Sequence, residues 1–220
     1  MRLLTPRRAE SLVESIVAIT VIVLATTAAL SLIRTSISGN RVIAEKVVAV
    51  NLALEGIEAV KNIRDTNYLN YASKPDDCWD AIDATDISTC DTDYGTPTAT
   101  LMRDLATANA TYYLKRNIRD EERRLAWELK TASGFEDITL YEIYDSTGST
   151  LLTKLYAQSG LDTYSSLYVP INEDAFRRSV TFSENAYDTD NAVDITVTVE
   201  WDANGETYSV DLTSSIVNVY

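Results

Sequence analysis

The hydrophobic pattern divides the chain into three regimes. Positions 15–33 carry no charged side chain and read as Ile, Val, Leu and Ala diluted with Thr and Ser, without Gly or Pro. A run of about 18–20 such residues is long enough to cross the hydrocarbon core as a helix, the form that satisfies its own backbone within one segment. After a softer stretch at 35–40 the period changes. Ile43, Val47, Val50, Leu54 and Ile57 recur at alternating steps of four and three, with Val60 and Ile63 extending them, so one apolar stripe is expected along an amphipathic helix. These segments together predict a single long helix over 11–63, with a loosening near Gly39. Positions 66–100 lack any period and read as loop.

The rest alternates in twos. Positions 138–144 read as a strand, 145–149 as a turn and 151–156 as its partner. A loop containing Gly160 and Pro170 is expected next, then a strand at 178–183. Val193, Ile195, Val197, Val199 and Trp201 alternate with Asp194, Thr196, Thr198 and Glu200, which is a strand with one buried and one wet face. Asn204-Gly205 is a strong hairpin signal, and Tyr208, Val210 and Leu212 return. Positions 111–130 are ambiguous. Thr111-Tyr112-Tyr113-Leu114 and 125–129 fit two strands about a charged turn, whereas 120–130 is rich in helix formers; the β-rich neighbourhood favours strands. An apolar helix stripe and an apolar sheet face can bury each other, so the expected fold class is α+β, a long N-terminal helix on an antiparallel sheet.

The 220 residues allow one domain plus an anchor. Net charge is −14, and Arg2, Arg7 and Arg8 precede the first acid. Without them the chain keeps 16 basic against 33 acidic residues, a net −17. Such a body argues against nucleic acid as a partner. The arginines before the apolar run place the N-terminus in the cytoplasm and the body outside. Cys78 and Cys90 are the only cysteines, and in an exported body they read as one disulfide closing a short loop. Two cysteines without histidine disfavour structural zinc. The acidic stretch 76–93 invites calcium, but no EF-hand spacing occurs, and a solvated acidic loop is the simpler reading. No catalytic constellation is present: histidine is absent, and there is no phosphate loop, nucleophile elbow or CxxC motif. No enzyme activity and no cofactor are expected. The 13 tyrosines allow an adhesive surface or simple strand packing.

The N-terminus carries the sharpest signal. In Arg7-Arg8-Ala9-Glu10-Ser11-Leu12-Val13-Glu14 a basic leader meets a small residue, then a carboxylate, before the apolar run. A secretory signal places its small residue after the apolar stretch, and a carboxylate at the edge of a membrane helix is costly enough to imply a partner. This segment resembles the class III prepilin signal of bacterial type IV pilins and pseudopilins. The stretch 54–65 also resembles the helix end of PilV-like minor pilins. Ala9 stands where the family usually has Gly, Glu10 where it usually has Phe, and the family's helix-breaking Gly and Pro are missing from the apolar half.

The resemblance implies cleavage between Ala9 and Glu10 by a prepilin peptidase and N-methylation of Glu10. It implies pairing of the Glu14 carboxylate with the terminal amine of a neighbouring pilin subunit. The implied layout is a leader at 1–9, a transmembrane or filament-core helix at 10–34, its amphipathic continuation at 35–65, and a β-rich head at 66–220 with a disulfide loop at 78–90. The chain would wait in the inner membrane as a single-pass protein with an extracytoplasmic head and then enter a filament. A minor pilin or pseudopilin fits best. The other reading is a signal-anchored extracytoplasmic binding domain that never polymerises.

Overall fold

The computed structural model describes residues 8–83, 86–108, 110–116, 127–132, 136–144, 151–158 and 168–219. The fold is α+β, a long N-terminal helix and an antiparallel sheet. Two compact units divide the chain at Glu45/Lys46. The first contains helix α1 (Arg8–Asn70) as far as Glu45. The second contains the rest of α1, the short helices α2 (Pro75–Cys78) and α3 (Met102–Ala108), and strands β1 (Thr111–Arg116), β2 (Trp127–Ala132), β3 (Glu136–Tyr144), β4 (Leu151–Gln158), β5 (Tyr168–Glu184), β6 (Ala192–Ala203) and β7 (Glu206–Val217).

Helix α1 runs through Gly39 without a break. One glycine costs about 1 kcal/mol in a helix interior, too little to interrupt a ladder that continues on both sides. At its other end α1 passes the expected stop at Ile63 by seven residues and reaches Asn70. Tertiary contacts hold this extension. Asn67 Nδ2 donates to the carbonyls of Trp79 (3.1 Å) and Ala81 (2.7 Å), and Tyr68 Oη donates to Asn218 Oδ1 (2.9 Å).

The buried face of α1 keeps the expected Ile57, Val60 and Ile63 but departs from the expected stripe before them. Ala49, Leu52, Ala53, Ile57, Ala59, Val60 and Ile63 are buried, whereas Ile43, Val47 and Leu54 are 62, 56 and 48% exposed. At about 100° per residue the buried face is turned roughly a third of a turn from the stripe. Small residues decide this, because they let the helix approach the sheet closely. A Cβ on Gly56 would lie 2.8 Å from Val197 Cγ1.

Among the described residues all strand pairs are antiparallel, in one seven-stranded sheet. The long β5 is its spine, pairing with β6 along 177–184 on one edge and with β1 and β3 on the other. The strand reading of 111–130 holds for β1 and β2, which pair from Thr111↔Ala132 to Arg116↔Trp127; the charged turn between them lies outside the described residues. β3 and β4 pair as expected, and their turn at 145–149 also lies outside them, as does Gly160. Pro170, expected in a loop, belongs to β5 and faces Tyr141 beside a register shift. A residue without an N–H is tolerated where the ladder is already irregular. The β6–β7 hairpin turns at Asn204 (φ 55°) and Gly205 (φ 82°), the double positive φ that a two-residue type I′ turn requires. Trp201 and Tyr208, opposite each other, stack at 5.7 Å.

The segment 71–101 is more ordered than a loop. It contains α2, two single-turn 3₁₀ helices at Ile87–Thr89 and Thr92–Tyr94, and an Ala81↔Leu101 bridge. Cys78 and Cys90 form a disulfide with Cα atoms 5.3 Å apart. Both are fully buried and pack with Tyr71, Ala81, Ala99 and Leu101 in a small second core.

Candidate functional site

The first candidate is the apolar part of α1. Leu12, Val13, Ile16, Val17, Ile19, Val21, Ile22, Val23, Leu24, Leu30, Leu32 and Ile33 are all more than half exposed. The best 18-residue window in the helix has mean hydropathy 2.6, and none of it is buried. It is one helix long and apolar enough to cross a membrane. Its threonines do not spoil that property. Thr20 donates to the Ile16 carbonyl (2.8 Å), Thr26 to Ile22 (2.9 Å), Thr27 to Leu24 (2.9 Å) and Thr35 to Ser31 (3.1 Å). Each of these threonine hydroxyls is satisfied on its own helix, so in apolar surroundings it is not left an unsatisfied donor.

Glu14 lies in this segment and is exposed. It is the single charged residue between Leu12 and Ile33 and has no ion-pair partner among the described residues. The backbone of Ala9 and Glu10 belongs to the first turn of α1, and residues 1–7 lie outside the described residues. Four residues of helix place Glu10 and Glu14 about 6 Å apart along the axis.

The carboxylates of 76–93 are committed to protein donors. Buried Asp80 accepts Arg103 Nε (2.9 Å), Nη2 (2.8 Å) and backbone N–H (3.1 Å). That is a bidentate, charge-assisted pair, with the guanidinium 5.6 Å from the centroid of the Trp79 ring. Burial disfavours the Arg103 cation, but the Asp80 contacts outweigh it and raise its pKa. Asp83 accepts from Thr100 N–H (2.6 Å), Asp86 from Ser88 N–H (2.9 Å) and Asp91 from Asp93 N–H (2.8 Å). Lys74 pairs with Asp93, which raises the lysine pKa. Among the described residues no three His, Cys, Asp or Glu side chains group to hold a metal.

The second candidate is the end of the head where α1 stops. Four segments meet there. Asn218 joins three of them: its Oδ1 accepts from Tyr68 on α1, its Nδ2 donates to Asp76 Oδ1 (3.2 Å), and its N–H donates to the Asn191 carbonyl (2.7 Å). Arg103 bridges the Asp77 and Asp190 carbonyls at 3.5 Å. The β5–β6 loop is closed by Asp188, which accepts from the N–H groups of Asp190 (3.2 Å) and Asn191 (3.0 Å); its pKa is held down by these bonds, that of Asn191 first. Around this braced framework Leu69 is 83%, Tyr94 69%, Tyr187 98% and Val219 61% exposed. Tyr71 and Tyr112, by contrast, are buried. Sequence pattern alone did not single out this end, because its parts are scattered over four segments.

Sequence reading also missed Arg178, which is 1% exposed. Its signal was present: Arg178, Val180 and Phe182 share the inward face of β5 by period two. Burial lowers its pKa, while its guanidinium donates to the Leu52 carbonyl (3.0 Å) and Glu55 Oε2 (3.3 Å). No protein-family model, no curated protein and no solved structure matches this chain.

Proposed function

We propose that this chain is a structural subunit of a type IV pilus-like filament or secretion pseudopilus, of the minor pilin or pseudopilin kind. The observation that carries the reading is the division of α1. Its residues from Leu12 to Ile33 are, Glu14 apart, uncharged and exposed on every side, while its last turns are buried in a disulfide-bearing antiparallel head. A helix apolar all round needs lipid or other helices about it. A chain with this division can wait in a membrane and then exchange lipid contacts for helix contacts.

Cleavage between Ala9 and Glu10 removes three arginines and frees an ammonium on Glu10. The Glu14 carboxylate of one copy and the terminal ammonium of the next then neutralise each other in surroundings where either charge alone is costly. The pairing sets the axial step between subunits. The prepilin peptidase and other pilin subunits are the partners this requires, and the chemistry of the role is not enzymatic. The head faces solvent and sets surface properties.

The point test is Glu14→Ala in cells that make the filament. Incorporation of the variant should fall steeply while its membrane insertion and head stability stay unchanged. Normal incorporation would remove Glu14 from the mechanism. The competing reading, a membrane-anchored domain that does not polymerise, requires that the leader be retained and that no polymer form.

A further inference from the structure

We infer that the free edge of β7 is a docking site for an extended polypeptide segment of a partner protein that sets a lysine or arginine opposite Asp211. Strand β7 pairs with β6 from Ala203↔Glu206 to Ala192↔Val217 without a register shift. Among the described residues β6 is its one neighbour in the sheet. The direction of its backbone groups can be read from its end. The Asn218 N–H donates to the Asn191 carbonyl on the β6 side (2.7 Å). On the other side the Val219 N–H donates to Tyr68 Oη (2.9 Å), and the Val217 carbonyl accepts from Arg64 Nη1 (3.5 Å). Antiparallel residues alternate between the two sides. Thr207, Ser209, Asp211, Thr213 and Ser215 therefore each aim an N–H and a C=O away from β6. Helix α1 closes this edge at 217–219 through Arg64 and Tyr68. Among the described residues nothing bonds to the outward backbone groups of 207–215.

Native sheets protect a bare edge with a short strand, a lysine, a proline or a bulge. Strand β7 has none of these. The one charge within 207–215 is Asp211, exposed at mid-stretch and without a hydrogen-bond or ion-pair partner among the described residues. The strand is also held in place before binding. Thr207 Oγ1 donates to Asp202 Oδ1 (2.6 Å), Ser215 Oγ donates to Asp194 Oδ1 (2.5 Å), and the Thr213 and Thr196 hydroxyls lie 3.1 Å apart. An added strand therefore orders little of this chain, gains main-chain hydrogen bonds and meets side chains with period two. On the face that meets α1, Val210 and Leu212 are only half-buried, so the added segment should be apolar there. On the other face, hydroxyls around a lone carboxylate call for small polar residues around a cation. Charge decides the occupant. The chain is net −14, and β7 has two acids and no base. A second copy of this edge would add only carboxylates, whereas a basic strand complements it.

The test uses the full chain in detergent micelles and a fluorescein-labelled Val-Thr-Val-Lys-Val-Thr-Val peptide, read by fluorescence anisotropy. Saturable binding is expected, and the same peptide with Glu in place of Lys should bind about fivefold more weakly. Asp211→Lys should reverse that preference, an outcome that general damage to the fold cannot produce. Thr213→Pro removes one outward N–H and sets a ring on the free edge, while the β6 ladder loses no hydrogen bond. It should weaken binding by at least about tenfold. Thr213→Val loses the same hydroxyl contact with Thr196 but keeps the N–H, and should bind as the parent chain does. Absence of binding, or binding that ignores both Thr213→Pro and the charge swap, would overturn the inference. Self-association of the chain that Thr213→Pro abolishes would overturn the choice of partner. None of these readouts depends on cleavage at Ala9/Glu10, so the filament reading is tested separately.

Discussion

Arg178 and Leu52 lock the sheet to the helix: the buried guanidinium donates to the Leu52 carbonyl at 3.0 Å and reaches Glu55 one turn further on. Charge-assisted bonds of this kind contribute about 1.5–3 kcal/mol each, offset by the cost of burying the cation. Arg178→Ala removes the bonds and leaves a cavity, and should lower head stability by about 2–4 kcal/mol. Arg178→Met keeps most of the volume and should lose less. Urea unfolding of both variants in detergent, followed by tryptophan fluorescence, gives the comparison. Equal losses would mean that only volume matters at this position.

Gly56 is a second contact point between the same elements. Alanine is the better helix former by about 1 kcal/mol, but its Cβ would meet the stiff, buried Val197 at 2.8 Å. Overpacking costs about 1–3 kcal/mol, so Gly56→Ala should be net destabilising, and Gly56→Val more so. A rise in the midpoint of thermal unfolding for Gly56→Ala would contradict the close approach.

The Cys78–Cys90 bond closes a short loop inside the second core. In the chain-entropy model it constrains the unfolded state by about 3 kcal/mol. Cys78→Ser with Cys90→Ser should lower stability by about 2–4 kcal/mol and raise amide exchange first in 71–101. Exchange rising uniformly over β5–β7 instead would show that this segment does not open on its own.

Asp188 titrates below the ordinary carboxylate range because the Asn191 and Asp190 N–H groups favour its ionised form. A depressed native pKa contributes stability that is complete above the unfolded value, about 3.9, and is lost as pH falls through the native value. The 185–191 loop should therefore loosen below about pH 4, seen as faster exchange at the Asp190 and Asn191 amides. In Asp188→Asn that acid-dependent step should vanish.

How much of this was legible before folding depends on how local the cause is. The apolar run and the β6–β7 hairpin are written in adjacent residues and the cysteine pair in a spacing of twelve, and these were readable. The Asn204-Gly205 turn needed only its own two φ angles. The buried face of α1 was readable only in part: Ile57, Val60 and Ile63 belong to the expected stripe and are buried, whereas Gly56 gains its burial from the approach of Val197 and Arg178, more than a hundred residues away. The strongest apolar side chains, Ile43, Val47 and Leu54, pointed to the wrong face for the same reason. The extension to Asn70 depends on Trp79, Ala81 and Asn218, and no helical period announces it. At the candidate site, Glu14 was visible as a lone carboxylate in apolar surroundings, whereas the loop end exists only once four segments converge.

The most direct measurement is the intact N-terminal peptide of the protein recovered from its native envelope, read by mass spectrometry. A terminus at Glu10, with or without an added methyl group, is the result the filament account predicts. A terminus at Met1, with the three leader arginines in place, would contradict it and leave a membrane-anchored head domain.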